Sequence, residues 1–157
     1  MSAPVFVVPL DVARSAAAGS TVLLDGAEGR HAAVVRRLAA GEDVDLTDGA
    51  GVLLHSVVES AGHDGLVCRV LVRTQTPPPQ PRLVVVQALA KGDRGELAVE
   101  TCTEVGVDEI VPWAAARSIT RWRGERADKA LAKWRGAARE AAKQSRRSIH
   151  PVVSRPA

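Results

Sequence analysis

The chain has 157 residues, 46% of them hydrophobic, which suits one domain or two small ones around a buried core. No apolar run approaches the roughly 20 residues that span a bilayer, and the N-terminus MSAPVFVVPLDV lacks the basic region of a secretory signal, so a cytoplasmic protein without a membrane partner is expected. The 2 cysteines, Cys68 and Cys102, have neither CxxC nor Cys/His spacing, and the 4 histidines are scattered; buried reduced thiols and no metal are expected.

The net charge of +3 conceals an asymmetry. Residues 1–80 hold 6 Lys/Arg against 9 Asp/Glu, residues 81–116 hold 3 against 6, and residues 117–157 hold 12 against 3. A net +9 over the last stretch predicts a polyanion partner, the alternative being a solvated helix face.

In chain order, PVFVVP, STVLLD and EDVDLTD read as short strands. DGAG then turns into VLLHSVVE and AGHDG into LVCRVLVR, giving consecutive hairpins. One helix is expected among them, over residues 30–38, stopped by Gly41. It carries His31 near one end and Arg36 and Arg37 near the other; arginine binds phosphate oxygens bidentately, so this helix is a candidate phosphate contact, or else a solvated pair. The proline-rich TQTPPPQP, residues 74–81, cannot donate to a ladder and reads as an interdomain linker.

Beyond it, LVVVQAL is expected as a strand buried on both faces of a parallel sheet. AKGDRGE opens a helix with Asp93 and Glu96 as a capping box, and Ala98, Cys102 and Val105 are expected on its packed face. Gly106 stops that helix, and DEIVPW is a second strand. Neither GxGxxG nor GxxxxGK[ST] occurs, so no standard pyrophosphate turn or P-loop is encoded. Lys91 nevertheless sits at the C-terminal end of the first strand, where open parallel sheets bind ligands. A loop then leads to a long helix over residues 126–145, with Ala130, Leu131, Trp134, Ala138 and Ala141 on one face and Lys129, Lys133, Arg135, Arg139 and Lys143 spread over the rest. HPVVS reads as a last short strand. With 1 Phe, no Tyr and 3 Trp, RNA recognition here would lean on charge and shape rather than on an aromatic platform.

These segments together resemble the bacterial family that methylates N3 of a uridine in 16S ribosomal RNA, a branch of the knotted SPOUT methyltransferases with an N-terminal PUA-like domain. His31 with VVRRL resembles the family's His-x-x-x-Val-Leu-Arg-Leu pattern, and QALAKGDRGELAVETCTEVGVDEIVPWAAARS resembles its strand, Lys-Gly-Asp/Glu loop, helix end and Pro-x-x-x-x-Arg-Ser segment. KWRGAAREAAKQSRRSIHP resembles the family's Trp-containing helix; the departures are Arg36 for a usual Leu in the first pattern, and Lys143 for a Glu and Arg146 for a Gly here. The resemblance implies an α/β chain: a PUA-like RNA-binding β-barrel over residues 1–73, the linker 74–81, and residues 82–157 as the first, incomplete part of a SPOUT-type parallel α/β methyltransferase domain.

It further implies S-adenosylmethionine as cofactor of the full-length protein, 16S ribosomal RNA of the small subunit as partner, and a homodimer. His31, Arg36, Arg37, Lys91, Arg117, Arg139 and Arg147 would be the RNA-binding residues. The family's Gly-Pro-Glu-Gly-Gly and Leu-Arg-x-Glu-Thr motifs do not occur, so the cofactor site is expected in a C-terminal knot outside these residues, and no residue here receives a catalytic role. A non-enzymatic RNA-binding protein and a different parallel-sheet enzyme are the other readings.

Overall fold

The computed structural model describes residues 2–156 and divides the chain into two compact units, Met1–Pro77 and Pro78–Ala157. In the first unit the order is β1 (Val5–Val7), α1 (Leu10–Ser15), β2 (Thr21–Leu24), α2 (Gly26–Arg30), a π-helical segment (His31–Val35), β3 (Asp43–Thr47), β4 (Val52–Gly62) and β5 (Gly65–Gln75). Its five strands form one sheet in the order β1-β3-β4-β5-β2, with β1 parallel to β3 and the other pairs antiparallel. Alternation places Leu46, Leu54, Leu66 and Val70 inside, with Phe6 from β1 and Leu24 from β2, in one fully buried apolar core. Both hairpins form where the turn residues predict them. At the first, the Asp48 carboxylate accepts from the Ala50 and Val52 amides at 2.7 and 3.0 Å.

The helical part of this unit differs from the sequence reading. Pro9 opens the short α1, which alternation alone did not reveal. The helix expected over residues 30–38 begins earlier, as α2, because Gly29 lets its backbone lie against the Leu24 carbonyl: a Cβ at 29 would stand 2.3 Å from that oxygen. It then widens into the π-helical segment, and the chain leaves it at Arg37, with φ 53°, rather than at Gly41. β5 runs on through Gln75, so Thr74 and Gln75 pair with Leu53 and Val52 and belong to the ladder rather than to the proline-rich segment.

The second unit alternates β6 (Val84–Ala88), α3 (Arg94–Glu104), β7 (Glu109–Trp113), α4 (Glu125–Gln144) and β8 (Val152–Val153) in a parallel sheet ordered β6-β7-β8. Val85, Ile110 and Val153 share one face and pack with Val99 of α3 and Leu131, Trp134 and Ala138 of α4. Gly95 makes that packing close: a Cβ there would sit 2.8 Å from the Trp134 ring. Three details correct the sequence reading. Val84 and Val86 are 48% and 59% exposed, so β6 buries one face only; an unbroken β-branched run carries no alternation to say so. The inward face of α3 is Gly95, Val99 and Thr103, one step round from the expected one, and Val105 is 71% exposed. Asp93 stands at the N-cap position but makes no capping bond, because its backbone is already helical and Glu96 instead reaches Lys133 at 3.2 Å.

Both long helices end alike. After α3, Gly106 at φ 98° brings its amide to the Thr103 carbonyl and the Val107 amide to Cys102, the paired bonds of a Schellman motif. After α4 the same two bonds run from Arg146 to Lys143 and from Arg147 to Ala142, yet the left-handed position is Arg146, at φ 57°. An L-residue with a side chain is strained there by about 1 kcal/mol relative to glycine. Arg146→Gly should therefore raise the stability of the chain by roughly 0.5–1 kcal/mol in denaturant titrations. A loss would mean that the Arg146 side chain contributes more than its backbone costs.

Candidate nucleic-acid interface

In the first unit, the His31 ring is held edge-on to Phe6, centroids 5.8 Å apart, and is half-buried. Its carbonyl accepts from the Arg36 amide at 2.9 Å, the i+5 bond that defines the wider turn, and Leu38 binds back to Ala32 at 3.1 Å. This geometry pushes Val34, Val35, Arg36 and Arg37 outward together while Leu38 returns to the core. Arg36 and Arg37 thus form an exposed pair, and His31 stands back from them as a packed residue.

In the second unit, the sequence-predicted Lys91 and Arg117 lie in the two loops that follow β6 and β7, at the C-terminal edge of the sheet. The Thr120 hydroxyl donates to the Ala90 carbonyl at 3.1 Å and ties the two loops together. Arg121 organises the second loop from within: its guanidinium donates to the carbonyls of Ala114, Ala115 and Ala116 at 3.3, 2.9 and 2.9 Å. Trp122 then anchors the loop edge-on to Trp134, centroids 5.0 Å apart. What remains exposed is rich in cations, interleaved with the acids Asp93, Glu125 and Asp128. Lys91 and Arg94 from the first loop, Arg117 and Arg123 from the second, and Arg126 and Lys129 from the start of α4 make no hydrogen bond or ion pair among the described residues. Trp113, 48% exposed, and Ile119, 86% exposed, stand on the same segment. Sequence reasoning missed Arg94, Arg123, Arg126 and Lys129; for Arg123 and Arg126 the signal was the run RSITRWRGER, which holds 4 arginines in the loop after β7 and the start of α4.

Two predicted contacts do not join this cluster. Arg139 is exposed on α4, 13 residues past Arg126 and so about 20 Å along the helix. Arg147 points inward, its side chain only 15% exposed. Its guanidinium donates to the Thr103 and Val107 carbonyls at 2.9 and 2.8 Å, completing the C-terminus of α3, and lies 3.7 Å from the Asp108 carboxylate. Burial lowers its pKa, and Asp108 works in the opposite direction. A phosphate contact by Arg147 is thereby replaced by a structural role, since its donors already serve the Val107 carbonyl and give the Thr103 carbonyl a second donor beside the Gly106 amide. Lys143, expected on the wet face, is also buried and pairs with Glu140 at 3.3 Å.

Nothing in these surfaces suggests covalent chemistry. Burial, aided by Glu59, pushes the Cys68 thiol up to about 11, and burial also raises Cys102, so neither presents a thiolate at neutral pH. Among the described residues no group of His, Cys, Asp and Glu could hold a metal ion, and no helix is long and apolar enough to cross a membrane.

Comparison with known proteins matches two families along the chain. Residues 76–157 match the family described as RNA methyltransferase domain, and residues 24–71 match the RNA methyltransferase PUA domain. Ribosomal RNA small subunit methyltransferase E of Mycobacterium bovis is 50% identical over 135 residues, 86% of this chain and 52% of the relative; that of Bacillus subtilis is 29% identical over 134 residues. A crystal structure of the Neisseria gonorrhoeae protein of the same name, bound to S-adenosyl methionine, superposes with a TM-score of 0.84 at 29% identity, covering 99% of this chain and 62% of that one. The chain spans about half the length of the curated relatives it matches.

Arg147→Ala should cost roughly 2–3 kcal/mol, because it strips charge-assisted bonds from buried carbonyls. Arg147→Lys should recover little of this, a point charge being unable to serve two carbonyls and Asp108 together. Equal melting of all three proteins would refute the structural role. For Cys68, whose folded pKa of about 11 lies above the ordinary 9.0, the unfolded chain gives up the thiol proton first. Stability is therefore full below pH 9 and should fall by about 2 kcal/mol as pH rises to 11. Cys68→Ala should remove that slope.

Proposed function

Because the chain belongs to the RNA methyltransferase family, we propose that its full-length protein transfers a methyl group from S-adenosylmethionine to N3 of a uridine in 16S ribosomal RNA, as a SPOUT-type enzyme of the cytoplasm working as a homodimer. In this proposal the PUA-like RNA-binding domain runs to the end of β5 at Gln75, the proline-rich segment after it is the linker, and residues 82–157 are the first part of the methyltransferase domain. The observation that carries the RNA-holding role is the set of exposed cations Lys91, Arg94, Arg117, Arg123, Arg126 and Lys129 on and beside two loops, tied to each other by Thr120 and the second ordered from within by Arg121.

That cluster suits a polyanion, because each guanidinium can take a phosphate bidentately and the cations draw RNA over a Debye length. It does not suit the methyl donor, whose sulfonium is itself a cation and would be repelled. The cation cluster is therefore not read as an S-adenosylmethionine pocket, and no step of the transfer is assigned to it. The proposal gives the donor's pocket and the general base to the part of the relatives that this chain does not span. What these residues do is position. The uridine N3–H is a weak acid buried in the base-pairing edge, so the target must be unpaired or extruded and held still before it can react. Fixed phosphate contacts on either side of an extruded base hold it in that way. Arg36 and Arg37 of the first unit supply a second set of contacts, Arg139 a peripheral one, and His31 supports the segment that carries them.

Ribosomal RNA from a strain lacking the gene should contain no 3-methyluridine in its 16S molecule by nucleoside mass spectrometry; an unchanged level would sink the specificity. For the chain itself, replacing Arg117, Arg123 and Arg126 with Ala should weaken binding to ribosomal RNA fragments. It should also flatten the dependence of log affinity on log salt by about 0.7–0.9 per phosphate contact removed. An unaltered slope would show that the cluster is merely solvated.

A further inference from the structure

The first unit contains a cavity of about 520 Å³ between the residues before β1, the end of the π-helical segment and the start of β3. Its size lies within the range of small-ligand sites. The apolar lining is Ala3, Pro4, Val35 and Leu38, and Val35 is 68% exposed although it stands beside the core. Two side chains of opposite charge, Arg36 and Asp43, line the same cavity. Among the described residues they bond neither to each other nor to anything else. Glu42, the other acid there, is already used: its carboxylate accepts from the Ala39 amide at 2.6 Å and fixes the turn before β3.

A cation and a carboxylate held apart over an apolar lining ask for a ligand with an anionic end, a flat apolar body and a donor edge. An RNA nucleotide has all three. Among the bases, guanine presents two adjacent donors, N1–H and the N2 amino group, which one carboxylate accepts bidentately; adenine and cytosine offer a carboxylate a single amino group. The backbone supports a binding role independently. A π-helical turn and a left-handed non-glycine residue, Arg37 at φ 53°, stand side by side here, and both are costly features that cluster at functional sites. Their effect is local: they turn Arg36 outward at the cavity while Leu38 returns beneath it. We propose that this cavity takes one unpaired guanosine of an RNA strand, with Arg36 on its phosphate and Asp43 on its Watson–Crick edge. The proposal rests on the RNA-binding reading of the chain and adds to it a base preference.

The test uses the whole chain, with the RNA pentamers UUGUU, UUIUU (inosine) and UUAUU, and separately 5′-GMP followed through the methyl resonances of Val35 and Leu38. UUGUU should bind about tenfold tighter than UUAUU, with the inosine strand, which lacks the N2 amino group, between them. Asp43→Asn, an exposed substitution, should abolish the preference, whereas Arg36→Ala should weaken all three strands alike. GMP should shift both methyls. Equal binding of the three pentamers by the wild type, or a guanine preference that survives in Asp43→Asn, overturns the proposal while leaving RNA binding intact. Methyl shifts with GMP but no binding of any pentamer would keep the pocket and overturn the RNA reading on which it was built.

Discussion

Much of the second unit depends on one buried cation. Thr103 and Val107, at the end of α3 and just beyond it, are buried, and a parallel sheet places the start of the next strand beside them. Arg147 satisfies the Thr103 and Val107 carbonyls and faces Asp108 at 3.7 Å. Asp108 in turn accepts from the Leu83 amide at 2.8 Å, just before β6. One guanidinium thereby connects the segment after α4, the end of α3 and the approaches to β6 and β7.

Charge in this chain has two jobs that composition cannot separate. Of the cations that give residues 117–157 their +9, Arg121, Arg135 and Arg147 bond backbone carbonyls, and Lys133 and Lys143 pair with glutamates. The charge left facing solvent is therefore smaller than the sequence total: Arg117 and Arg123 are exposed in the loop after β7, whereas at the start of α4 Arg126 and Lys129 share the surface with Glu125 and Asp128.

The order of elements was legible because each carried a local signal: alternation in β3 to β5, the Asp48 turn, the Gly106 stop, and the helical spacing of Leu131, Trp134 and Ala138. What was not legible depended on tertiary contact. The face of α3 was misjudged because Gly95 and Thr103 carry little hydrophobic signal, yet Gly95 is where the Trp134 ring lies. The helix after α2 was drawn too regular because a π-helical turn keeps the composition of an α-helix and changes only its bonding. The candidate site was legible in part for the same reason. Lys91 and Arg117 announce themselves by following strands, whereas the inward turn of Arg147 is decided by carbonyls 44 and 40 residues away in sequence.

The Trp122–Trp134 contact has an optical consequence. Two indoles with ring centroids 5.0 Å apart and planes at 81° have coupled electronic transitions, and one of them rides on the loop that carries Arg117 and Arg123 while the other is fixed in the core. Any displacement of that loop alters the coupling. The near-ultraviolet circular dichroism of the unlabelled protein is therefore a built-in gauge of loop position, with Trp113 as an exposed background chromophore and no tyrosine to obscure the signal.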